Sequence, residues 1–189
     1  MTYATIAPPA VEPLTLAGAK AHLRLDGAEE DALILSLIAT ARDHLERETG
    51  LCLIGRTMRL YRDRWPPDGV LDLDHGPVTA VSAVTVYDDA GDASAVSLEG
   101  HRLDGTARPA RLWLKDRPAP GAALNGIEVD FVAGFGETGA DVPDALKRAM
   151  LEHVALMFTF RGAVAAENQP AAVPEGYDRL VAPWRIRRL

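Results

Sequence analysis

Over the first fifty residues the apolar positions recur at helical spacing. Leu16, Ala19 and Leu23 share one face of a short helix running to about Leu25, with Thr15 placed to cap its start. Asp26-Gly27 breaks the run. Glu29, Glu30 and Asp31 open a second helix, where acids suit the positive end of the dipole. In it Leu33, Leu37, Ala41 and Leu45 recur on one face, and Gly50 supplies the stop. From Arg56 the period changes. Residues 57–62, 70–73, 78–87, 95–98, 111–114 and 127–132 are short β-branched or alternating apolar segments. Turn signals separate them at Pro66-Pro67-Asp68-Gly69, His75-Gly76-Pro77, residues 88–92, Asp104-Gly105 and residues 118–121. This pattern predicts a meander of antiparallel strands. Pro143 then stands near the start of a third helix to about Phe160, with Leu146, Met150, Val154, Met157 and Phe158 as its apolar stripe.

The chain divides accordingly. Residues 1–13, with Pro8, Pro9 and Pro13, read as an extended lead-in; residues 14–55 are the helical part of a core; residues 56–133 are an inserted β-rich region. Residues 134–161 hold the third helix and its entry loop, and residues 162–189 a linker followed by a tail. Strands segregated between helices predict an α+β fold rather than an alternating α/β sheet. A length of 189 residues suits one domain, or one carrying a sub-domain, with a substantial core.

Composition narrows the function. Hydrophobic residues at 48% and charged residues at 25% are ordinary for a folded, soluble protein. A net charge of −7 argues against a general nucleic-acid binder, which needs a basic face. The single cysteine, Cys52, excludes an internal disulfide and, between Leu51 and Leu53, reads as a small buried apolar residue. Residues 1–13 lack Lys, Arg and a long apolar run, so neither a signal peptide nor an anchor is expected. No stretch approaches the roughly 18 apolar residues of a membrane span.

Residues 134–139 spell Gly134-Phe135-Gly136-Glu137-Thr138-Gly139, a formal GxGxxG between a predicted strand and a predicted helix. A dinucleotide site also needs a second parallel strand ending in an acid, and here a Pro-bearing loop follows the helix. A glycine turn is the better reading, and a small nucleotide-binding enzyme using this loop is the alternative from another class. Asp72, Asp74 and His75 form a D-x-D-H cluster at a strand end, but His75 falls on the opposite face and no convergent ligand set is evident. His22, His44, His101 and His153 are scattered, and Glu152-His153 lacks the second histidine of an HExxH pattern. Neither Cys52 nor Ser36 has a base in sequence context. No catalytic, cofactor or metal residue is therefore assigned.

The end of the chain departs from the average. Residues 179–189 hold Arg179, Arg185, Arg187 and Arg188 against no acid, interleaved with Leu180, Val181, Pro183, Trp184, Ile186 and Leu189. Arg with Trp is the composition of an interface anchor. The same composition equally suits a tail folded back onto the acidic second helix, over Glu30, Asp31, Glu46 or Glu48.

Several strings then occur in a familiar order. Leu14-Thr15-Leu16 leads into residues 19–26, and Asp31-Ala32-Leu33-Ile34 opens a helix ending Glu48-Thr49-Gly50. Gly76-Pro77-Val78 leads to residues 81–87; residues 127–136, Val142-Pro143-Asp144-Ala145-Leu146 and Leu180-Val181-Ala182-Pro183-Trp184-Arg185 follow. From about Leu14 to Arg188 the chain resembles the head–tail connector, or adaptor, family of long-tailed bacteriophages and gene transfer agents. The resemblance implies a small helical bundle of three main helices with an inserted antiparallel β region and an extended C-terminal arm. It implies a structural, non-enzymatic subunit of a homo-oligomeric ring, usually of twelve, in the particle neck, made in the bacterial cytoplasm. The ring would sit under the portal protein, extend the DNA channel without sequence-specific binding, and present a surface to a stopper or other neck or tail protein. On this reading Leu180, Pro183, Trp184, Arg185, Ile186, Arg187 and Arg188 form the portal-docking arm, and Asp88, Asp89 and Asp92 border the channel. A stopper or tail terminator is the nearest alternative, though such proteins are usually more purely β.

Overall fold

The computed structural model describes residues 2–160 and 173–185. The chain forms two compact units, Met1–Ala10 with Gly55–Phe135, and Val11–Ile54 with Gly136–Leu189.

The first unit is all β. Its strands are β1 (Thr2–Thr5), β2 (Arg56–Arg62), β3 (Val70–Leu73), β4 (Val78–Tyr87), β5 (Ala93–Ala95), β6 (Arg102–Asp104), β7 (Ala110–Trp113) and β8 (Ile127–Ala133). They form an antiparallel five-stranded sheet in the order β1-β2-β8-β4-β5 and an antiparallel three-stranded sheet in the order β3-β7-β6. The expected meander is thus replaced by two sheets with long crossovers. The last strand takes the centre because it is the most regularly amphipathic: Ile127, Val129, Phe131 and Ala133 are all fully buried. Within the expected extended lead-in, residues 2–5 pair with β2 as an edge strand. Tyr3 secures that edge. Its phenol accepts the Asp74 N–H at 3.0 Å and donates to the Asp72 carbonyl at 3.3 Å, and its ring meets His75 edge-on at 4.7 Å. Burial pushes its pKa up to about 12.

Strand β4 buries Val78, Val81, Val84 and Val86, which is not a period of two. Register shifts between Val78 and Ala80 and between Val81 and Ala83 insert extra residues, and each resets the alternation. On the outer face Arg59 lies opposite Asp130 in the β2–β8 register and grips it bidentately at 2.6 and 2.7 Å, with Glu128 at 2.8 Å. Such a cross-strand fork favours one register over a slipped one.

The second unit carries α1 (Leu16–Leu23), α2 (Asp31–Thr49), α3 (Asp144–Thr159) and α4 (Glu175–Val181). Thr15 caps α1 as its spacing predicts, its hydroxyl accepting the Gly18 N–H at 3.0 Å. The buried stripe of α2 is Ile34, Ile38, Ala41, Leu45 and Thr49; the expected Leu33 and Leu37 are only half-buried, one position around the helix. α3 buries Leu146, Ala149, Met150, His153, Val154 and Phe158. Cys52 is buried between Leu51 and Leu53. Four helices stand among the described residues where three were expected, and no helix there is long and apolar enough to cross a membrane.

Candidate functional site

The C-terminal segment is where the sequence placed most function, and its described part is not an extended arm. Pro174 fixes the turn that starts α4, and Glu175 and Asp178 lie at the positive end of that helix. Tyr177 and Val181, four residues apart and on one face, are fully buried, and α4 lies against α3. Ala182–Trp184 continues as a 3₁₀ turn ending at Arg185.

Glu48 near the end of α2 is the hub that holds this segment. The buried Tyr177 hydroxyl donates to its Oε2 at 2.9 Å, and Arg185 Nε donates to its Oε1 at 2.7 Å. The Arg185 guanidinium also pairs with Asp178. His44, one turn before Glu48, stacks edge-on against His153 of α3 at 4.9 Å, and both rings lie within 5.9 Å of Tyr177. Of the two readings of the tail, the fold-back onto the second helix is the one the described residues adopt.

Electrostatics here favour fixed partners over reactivity. Burial, then the Glu48 acceptor, push the Tyr177 phenol well above its ordinary value. The hydrogen bonds to Asp178 and Glu48 keep Arg185 firmly protonated. Burial, then the neighbouring His44, hold His153 below 6.5 against the opposing pull of Glu48. Its Nδ1 is buried with no hydrogen-bond partner among the described residues, which suits a neutral ring. The arrangement ties three helices together.

The other sequence candidates fall elsewhere. Leu180, Trp184 and Arg185 are half-buried and Pro183 is exposed; Ile186, Arg187 and Arg188 lie outside the described residues, as does the expected linker at 161–172. Asp88, Asp89 and Asp92 sit in the exposed β4–β5 turn, where Asp88 Oδ1 accepts the N–H groups of Ala90 and Asp92, each at 2.9 Å. Gly136 and Gly139 serve close packing. A side chain on Gly139 would strike the Pro13 carbonyl, and Asp141 closes the turn by accepting from Thr138 N–H and hydroxyl, each at 2.9 Å. Among the described residues no group of three or more His, Cys, Asp or Glu could hold a metal, Asp72, Asp74 and His75 included.

Sequence reasoning missed Tyr177, His44 and His153 as a cluster, because 129 residues separate Tyr177 from Glu48. Its only trace was the acid at Glu48 set against a basic tail.

Comparison with known proteins gives this geometry its context. Residues 13–94 match the model of the phage gp6-like head-tail connector protein family. No curated protein matches the chain. Among solved structures, a chain of the virion of a native gene transfer agent (GTA) particle is 29% identical with a TM-score of 0.84, covering 100% of this chain and 97% of that one. The neck of an empty GTA particle computed with C6 symmetry matches with the same identity, coverage and TM-score. The neck of a native GTA particle computed with C12 symmetry matches at 29% identity and TM-score 0.77, over 100% of this chain and 97% of that one. The chain is thus similar over residues 13–94 to the gp6-like head-tail connector proteins, and along its whole length to chains of GTA particles and their necks.

Proposed function

We propose that this chain is an adaptor subunit that closes into a ring, of twelve copies, beneath the portal of a phage or GTA particle. The ring extends the DNA channel and presents its far side to the next neck or tail component. The observation that carries this reading is the match along the whole chain to a subunit of a neck computed with C12 symmetry. The acidic balance agrees with it, because a wall that DNA slides past must not hold phosphates tightly. Within the subunit, the docking role falls to the end of the chain. α4 anchors the segment through Tyr177 and Arg185, and the docking surface is formed by exposed Pro183, half-buried Trp184 and, beyond the described residues, Ile186, Arg187 and Arg188.

The test is assembly on purified portal of the same particle, imaged by electron microscopy. A closed ring seated on the portal is the expected product. A chain that stays monomeric and unbound at concentrations well above those of assembly would sink the reading.

A further inference from the structure

The outer face of the three-stranded sheet carries a patch that the adaptor reading does not use. Trp113 on β7 lies directly across from Arg102 on β6 and Val70 on β3. The Arg102 guanidinium sits 5.7 Å from the Trp113 ring centroid and that of Arg117 sits 5.9 Å from it. Arg117 is pinned there. Its Nη1 donates to the Gly69 carbonyl at 3.1 Å, and its guanidinium occupies the space that a side chain at Gly69, a turn residue with φ of 73°, would fill. The neighbouring Arg111 is neutralised by Asp104 at 2.5 Å, whereas neither Arg102 nor Arg117 has a carboxylate partner among the described residues. A half-buried Trp between two exposed, unneutralised arginines has the composition of an interface hot spot.

The same unit carries the complementary surface. The β4–β5 turn exposes Asp88, Asp89 and Asp92. Asp88 is spent on closing the turn, which leaves Asp89 and Asp92 outside any ion pair among the described residues. A basic aromatic face and a separate acidic turn on one chain satisfy the requirement for a head-to-tail contact, in which each copy offers one patch and receives the other.

We infer that the Arg102–Trp113–Arg117 face receives the Asp89 and Asp92 carboxylates of a second copy of this chain, as a contact between neighbouring subunits. The inference rests on the ring reading. It moves these acids from the channel border to the subunit boundary.

Charge reversal of the full-length chain tests it, with self-association followed by sedimentation velocity, alone and on portal, and folding checked by circular dichroism. Arg102→Glu with Arg117→Glu, and separately Asp89→Lys with Asp92→Lys, should each weaken association roughly tenfold or more by placing like charges together. An equimolar mixture of the two variants sets acidic faces against basic turns in alternation, as does the four-fold variant within every contact. Both should return to within about threefold of the unmodified chain, since the favourable pairing is restored. Unchanged assembly of the Arg102→Glu, Arg117→Glu variant overturns the contact, as does failure of both rescues with folding intact. Intact rings that lose only retention on duplex DNA assign the face to nucleic acid and overturn it too. If the unmodified chain never associates, the ring reading falls together with the contact.

Discussion

Glu48 accepts from a buried phenol and from a guanidinium that come from a segment more than a hundred residues away. Glu48→Ala leaves the Tyr177 hydroxyl buried without its acceptor and should cost about 1–3 kcal/mol in denaturant unfolding. Tyr177→Phe removes donor and need together, so its cost should be the smaller of the two, about 1 kcal/mol. The reverse order would mean that Glu48 is not the hub. His153 gives a pH signature. Its folded value lies below 6.5, so between the two values the unfolded chain binds a proton that the folded chain excludes. Stability should therefore fall as pH drops through 6.5 and level off below the folded value. Facing it are His44, Glu48, Tyr177 and, through Glu48, Arg185 and Asp178. Thermal midpoints of the unmodified chain and His153→Leu, compared from neutral to mildly acidic pH, check this: the variant should show the shallower slope.

Single elements were legible where their chemistry is local. Thr15 before Leu16 predicted a cap, and the hydroxyl makes that bond, because the partner is three residues away. Predicted spans 57–62 and 70–73 agree with β2 and β3 to within a residue, since turn residues bound them on both sides. β6 was missed because a run of three residues carries too little pattern. β4 misleads for a different reason: its bulges answer to the register of β8, not to its own sequence. The central position of β8 makes a direct prediction. Phe131 is fully buried, and Phe131→Ala should destabilise the β unit by about 3–5 kcal/mol, read from its unfolding transition. A smaller loss would show that the surrounding strands can collapse into the space.

For the whole molecule, the fold-back of α4 changes where a docking arm can be cut. Removing residues 178–189 would take away the fully buried Val181 as well as Arg185, and so would damage the core together with any docking surface. Removing only residues 186–189 leaves every described contact of α4 in place. That shorter chain should keep its thermal midpoint to within a degree or two, a shift of well under 1 kcal/mol, while co-sedimentation with portal falls sharply. Unchanged co-sedimentation would remove those residues from the docking surface and leave Pro183 and Trp184 to carry it.

Composition, helical periodicity and turn chemistry, all set by residues within one or two turns of each other, were enough to place α1, α2, α3 and most strands in an α+β order, and to expose the glycine motif as a turn. The ordered strings added a resemblance to a family whose model matches residues 13–94. The strand order, the sixth strand, the helix at Glu175–Val181 and the Glu48 hub were settled only in the folded chain. The tail shows why: its composition suits latch and anchor alike, and the choice depends on whether an acid and two histidines from distant helices converge on it. They do, and the described part of the tail is held to its own subunit.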